Sequence, residues 1–124
     1  MKKILILFLM SFFTVPVLAA DFDEQRFLRN YAQILVVGRG FLFNENDIDY
    51  IDNKIWKIDG HTVHYNNDKI ERIGSESVYY FPNGVIHEVG DKSIRYDEEG
   101  RIDWLGNKTI DYSWGDHVFT VEER

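Results

Sequence analysis

"SIRYDEEGRIDWLG", residues 93–106, joins an apolar-x-Tyr step, an acidic turn ending in Gly, and a second pair of apolar residues. The same arrangement recurs along the chain. Tyr50, Tyr65, Tyr80, Tyr96 and Tyr112 stand 15, 15, 16 and 16 residues apart. Two residues before each comes Ile48, Val63, Val78, Ile94 or Ile110. Five or six residues after each comes Ile55, Ile70, Ile86, Ile102 or Val118, and three further on Ile58, Ile73, Val89, Leu105 or Val121. Gly74, Gly90 and Gly106 directly follow that last position, and Asp59-Gly60 stands in the first copy. Phe41-x-Phe43 reads as a partial sixth copy. Several independent positions repeating together mark a chain built from one supersecondary unit.

Each unit holds two short strands. Apolar-x-Tyr puts two side chains on one face, the period-two signature of a half-buried strand. Asn66-Asn67-Asp68, Pro82-Asn83-Gly84 and Asp97-Glu98-Glu99-Gly100 are turn chemistry, with Asn or Gly able to take positive φ. The apolar-x-x-apolar half does not alternate, so either a β-bulge brings both residues to one face or the second faces the other side. The expected fold is mainly β: an antiparallel meander of about ten short strands from five repeats, with one N-terminal amphipathic helix. Phe27, Leu28, Tyr31 and Leu35 have helical spacing, acidic residues lead the segment, and Gly38 follows it. This helix is expected to cover an end or a face of the sheet and blunt its edge. The domain plan is a leader over 1–20, the helix over 21–37 and the repeats over 41–122, helix and repeats forming one globular domain.

"YDEEGRI", Tyr96 to Ile102, resembles the Tyr-Asp-x-x-Gly-Arg-Leu core of YD repeats, found in the rearrangement-hotspot family of secreted bacterial proteins. Arg95-Tyr96-Asp97 and Gly100-Arg101-Ile102 carry the match. "YFPNGVI" (Tyr80 to Ile86) keeps the Tyr and Gly, and "YNNDKI" (Tyr65 to Ile70) keeps the Tyr and the apolar residue. In that family the repeats coil into a β-shell around a toxin. The resemblance implies β-strand repeats in an exported protein. It does not extend to the shell, because this repeat region is too short to enclose another protein, and no catalytic residue comes with it.

The leader agrees with export. Lys2 and Lys3 precede an apolar run from Ile4 to Phe13, and Pro16 with Val17-Leu18-Ala19-Ala20 offers a breaker and small residues for cleavage after Ala19 or Ala20. This is the pattern of a secretory signal peptide, with acidic Asp21-Phe22-Asp23-Glu24 where a membrane anchor would carry basic flanks. No membrane span is expected after cleavage, and without Cys the chain has no lipoprotein attachment site. The expected location is periplasmic or secreted. The net charge is −7, and loss of Lys2 and Lys3 makes it more negative, which disfavours nucleic acid and anionic lipid as partners. With no Cys, the stability of an exported domain must come from packing.

If the repeat is scaffold, function belongs where copies differ. Between the paired apolar residues the first variable row reads Trp56, Glu71, His87, Asp103, Phe119, and the second Lys57, Arg72, Glu88, Trp104, Thr120. Equivalent positions lie two strands apart, roughly 9.5 Å in a sheet. Trp56, His87, Trp104 and Phe119 can therefore form an aromatic binding surface, or else cover the second sheet face under the helix. Tyr79 and Phe81 flank the repeat position Tyr80 and point the other way, either to the helix or to solvent. The binding candidates are Trp56, Tyr79, Phe81, His87, Trp104 and Phe119.

His61 and His64 on a strand diverge, as do the neighbours His87-Glu88 and Asp116-His117, and none matches a zinc spacing. Asn44-Glu45-Asn46-Asp47-Ile48-Asp49 has Ile48 where a calcium loop needs a ligand, and reads as a polar hairpin turn. Ser75, Ser77, Ser93 and Ser113 lie in no Gly-x-Ser-x-Gly elbow. No catalytic residue, metal or cofactor is assigned, and the chain is not expected to be an enzyme. The expected function is surface recognition of a protein, glycan or envelope component. The alternatives are an inhibitor or immunity-type protein whose acidic surface masks a basic partner, and a small metal-dependent enzyme centred on His61, His64 or His87.

Overall fold

The computed structural model describes residues 22–124; the signal-peptide reading concerns residues outside that range. One helix, α1 (Glu24–Gly38), precedes ten strands: β1 (Ile48–Ile51), β2 (Lys54–Ile58), β3 (His61–Asn66), β4 (Lys69–Ile73), β5 (Glu76–Tyr80), β6 (Ile86–Val89), β7 (Lys92–Tyr96), β8 (Ile102–Leu105), β9 (Lys108–Tyr112) and β10 (Val118–Glu123). They form a single antiparallel meander in chain order, as the repeat predicts. Asp23 caps α1 by accepting from the backbone N–H groups of Gln25 and Arg26 at 2.9 and 3.1 Å. Asn44 to Asp49 is not a hairpin turn. Asn44 and Asp47 cap each other across a single 3-10 turn (Glu45–Asp47), which leads straight into β1. Phe41 to Asn44 form no strand, so the repeats begin at Ile48.

The apolar-x-x-apolar half is resolved by a bulge. Tyr65 pairs with Ile70 and His64 with Arg72, which leaves Glu71 as the extra residue of β4. The same shift occurs in the other four hairpins, at Trp56, His87, Asp103 and Phe119. The added residue restores phase, so Ile70 and Ile73 are both buried on one face while Glu71 and Arg72 point away. Two-residue turns at Asp52-Asn53 and Asn67-Asp68 take positive φ at both positions, the local twist that a tight hairpin needs.

All the buried strand residues point at α1. A flat ten-stranded sheet would be about 45 Å wide, whereas a helix is only about 10 Å across. Yet one cluster joins Phe27, Leu28, Tyr31, Ala32 and Ile34 to at least one residue of every strand, from Ile48 to Val118. The sheet therefore curls round the helix. Phe27, Leu28, Asn30, Tyr31, Ala32, Gln33, Ile34 and Val36 are buried and fan out to all sides of α1. Instead of capping a sheet from outside, the helix is the axis about which the repeats are wound.

Curling has a local cause. Within a unit the strands pair over three or four positions in the first four hairpins. Between units only the two pairs next to the turn form, as with Lys57–Thr62 and Ile58–His61. Beyond them the strands splay and strip the first apolar residue of its ladder partners. The repeat tyrosine fills the gap: Tyr65, Tyr80, Tyr96 and Tyr112 donate to the carbonyls of Ile55, Ile70, Ile86 and Ile102, each ten residues earlier, at 2.5, 2.8, 2.5 and 2.6 Å. The amides of Ile55, Ile70, Ile102 and Val118 donate to the side chains of Gln25, Glu24, Asn30 and Gln33 on α1. A buried polar group left unpaired is costly, so this double closure lets the sheet bend without losing backbone hydrogen bonds. It also explains why Asn30 and Gln33 are buried in a helix otherwise apolar at its centre.

Candidate functional site

Because each bulge turns two consecutive residues outward, both variable rows lie on the convex face, opposite α1. The alternative in which these aromatics sit under the helix does not hold. Tyr79 and Phe81 are 48% and 49% exposed, so they face solvent, and Phe119 on β10 is 65% exposed. Trp56 and Trp104 are half-buried on the same convex face.

The convex face brings some candidates together and separates others. Phe81 stacks on His87, centroids 4.3 Å apart and planes 18° from parallel, with Tyr79 beside them on β5. On the next hairpin Arg95 stands 5.4 Å from the centre of the Trp104 ring, directly across the β7–β8 pair. Phe119 lies two strands beyond. Trp56 lies four strands from His87 on the other side, and on a sheet wound about one helix it faces a different direction. Its own ring is covered by the ammonium of Lys57 at 4.8 Å. Both indole rings thus carry a neighbouring cation, an arrangement that stabilises the strand and leaves part of each ring free.

Asp103 is the bulge residue of β8, next to Trp104. Burial raises the pKa of its carboxyl, against the pull of the Arg95 charge, and its Oδ1 is buried with no hydrogen-bond partner among the described residues. Asp103, Arg95 and Trp104 lie together on the β7–β8 hairpin.

Trp114 escaped the comparison of strand positions. It is 71% exposed in the β9–β10 turn and stacks on His117, centroids 4.6 Å apart and planes 9° from parallel. The signal was in the turns. Residues 113–117 close like 97–101 and 81–85, with Ser113, Asp97 and Phe81 each bonded to the fifth residue, and Trp114 stands where Glu98 and Pro82 stand. Aligning turns as well as strands would have found it. Ser113 Oγ lies 2.8 Å from His117 Nδ1, but the adjacent Asp116 is engaged elsewhere. Arg26 donates two bonds to its carboxylate at 2.7 and 2.8 Å and holds that carboxyl below the usual range. Asp116 is therefore bound to Arg26 and does not orient His117 as the third member of a nucleophile–base pair would require.

His61 and His64 are not joined by other ligands among the described residues. Among the described residues no three His, Asp or Glu side chains gather closely enough to hold a metal ion. No described helix is long and apolar enough to cross a membrane. No protein-family model, curated protein or solved structure matches this chain.

Proposed function

We propose that the chain is an exported, non-enzymatic β-repeat protein that recognises a protein, glycan or envelope component through the convex face of its curled sheet. One observation carries the reading. The bulges aim both variable rows outward, while the inward positions are committed to wrapping α1. Invariant residues thus build the scaffold, and the variable ones, including His87, Trp104 and Phe119, meet the surroundings. Aromatic residues on an exposed surface are the types that supply most binding energy per residue.

The test is a pull-down from envelope extract together with a glycan-binding screen, using the protein and its Trp104→Ala, Phe119→Ala and Trp56→Ala variants. Loss of binding with Trp104→Ala or Phe119→Ala, at unchanged melting temperature, supports the reading. A partner bound equally well by all three variants overturns it. The exposed Glu98 and Glu99, between the Phe81–His87 and Trp114–His117 stacks, favour a second reading in which an acidic rim masks a basic partner. Steep weakening of the complex with salt would single that reading out.

A further inference from the structure

A sheet wound about a helix has two open ends. At the N-terminal end of α1, the side chains of Glu24, Gln25 and Arg26 bond to strand and loop backbones, beside a small cavity of about 60 Å³ against Phe27 and Tyr96 and a wide, shallow hollow along Lys54, Asp68 and Lys69. At the C-terminal end two neighbouring cavities remain, about 290 and 270 Å³, which share Leu35 and His61 as wall residues. The first has apolar walls of Ile34, Leu35 and Leu105 and a rim that carries Arg39, Lys92 and Lys108. Arg39 is neutralised by Asp59 and Lys92 by Glu76, each at 2.6 Å. Lys108 has no ion-pair partner among the described residues. The second cavity is walled in part by Tyr31, whose hydroxyl is buried without a hydrogen-bond partner among the described residues. Orphaned buried hydroxyls are rare, and this one gives the wall of the second cavity an unpaired donor.

We propose that this mouth binds a small amphipathic carboxylate, with its head between Lys108 and His61 and its alkyl chain over Leu35 and Leu105. Charge complementarity selects the head group. In a chain of net charge −7 the general field repels anions, yet this rim holds a surplus cation over an apolar floor. Size selects the tail, because each cavity is just below the roughly 300 Å³ where drug-sized sites begin. The site is independent of the convex face, so it stands or falls separately from the recognition reading.

The probe is sodium octanoate, titrated into the protein and followed by backbone amide shifts, with octanol and octylammonium in parallel. Saturable shifts at Leu35, His61, Ser75 and Leu105 are expected below about 1 mM octanoate, with octanol at least tenfold weaker and octylammonium weaker still. Lys108→Glu should abolish the preference for octanoate over octanol at unchanged melting temperature. Shifts scattered over the surface, equal binding of octylammonium, or undiminished octanoate binding by Lys108→Glu would each overturn the assignment.

Discussion

Tyr96→Phe tests the physical account of the fold, because it removes one oxygen and nothing else. In the folded chain the Tyr96 hydroxyl donates to the carbonyl of Ile86 at 2.5 Å, across the splay between two units. Ile86 is fully buried, so water does not readily replace the lost donor. A hydrogen bond is worth about 0.5–1.5 kcal/mol net, and a buried acceptor left unpaired costs about 1–3 kcal/mol. The ring still packs against Phe22, edge to face at 6.1 Å, so the apolar contribution is retained. A loss of about 1–2 kcal/mol is expected, on the order of 5–10 °C in melting temperature for a domain of this size. Urea unfolding followed by tryptophan fluorescence should show a lower midpoint at unchanged slope. Tyr79→Phe is the internal control. Tyr79 is 48% exposed, with no hydroxyl partner among the described residues, so its change should stay within about 0.5 kcal/mol of wild type. If Tyr96→Phe is as silent as Tyr79→Phe, the hydroxyls do not close the splay and the explanation of the invariant tyrosine is wrong.

Asn30 accepts from the Ile102 amide at 2.9 Å and donates to the Tyr112 hydroxyl at 2.8 Å, so Asn30→Ala should cost about 2–4 kcal/mol in a thermal melt. An exposed-helix effect of only a few tenths would contradict its place inside the wound sheet. Gly90 takes φ +61° at the β6–β7 turn, and a Cβ there would stand 2.8 Å from Glu76 Oε2. Gly90→Ala should therefore destabilise by about 1–2 kcal/mol and displace Glu76 from Lys92, visible as a shift of the Lys92 side-chain resonances. Burial raises the pKa of Tyr80, Tyr96 and Tyr112 above the ordinary 10.0, so folding favours the protonated phenols. Their contribution is complete below about pH 10 and is lost as pH rises toward and through the raised values. Absorbance at the phenolate band should show these three ionising together with unfolding; their ionisation in a chain that stays folded, at the ordinary phenol pKa, would refute the burial.

The outcome at each residue shows what kind of information the chain carries locally. Ile70 and Ile73 announce a strand with an irregularity, because burial has to be served every second residue and here it skips. The bulge at Glu71 follows once both must reach one core. The turn at Asn67-Asp68 was legible too, since tolerance of positive φ is a property of the residue type. That Tyr79 and Phe81 share a face was legible from the two-residue period, but which face met solvent was not. That choice depends on where α1 packs, and α1 is joined to the sheet by contacts up to 85 residues apart in sequence.

Asn30 and Gln33 mark the deeper limit. On a helix read alone they belong to a polar stripe, and only the splayed strands give them buried partners. Trp56 shows the same limit at the candidate site. Counting along a flat sheet sets it on one surface with His87 and Trp104, whereas curvature turns it away. The sequence by itself determined the unit, its two strands, its turns and which positions are free to vary, since all of these depend on side-chain periodicity within about fifteen residues. The tertiary structure alone decided that the units wind round the helix. Ten strands can bury their apolar face on one 15-residue helix only by bending, and bending is permitted where tyrosine hydroxyls and helix side chains take over the hydrogen bonds it breaks.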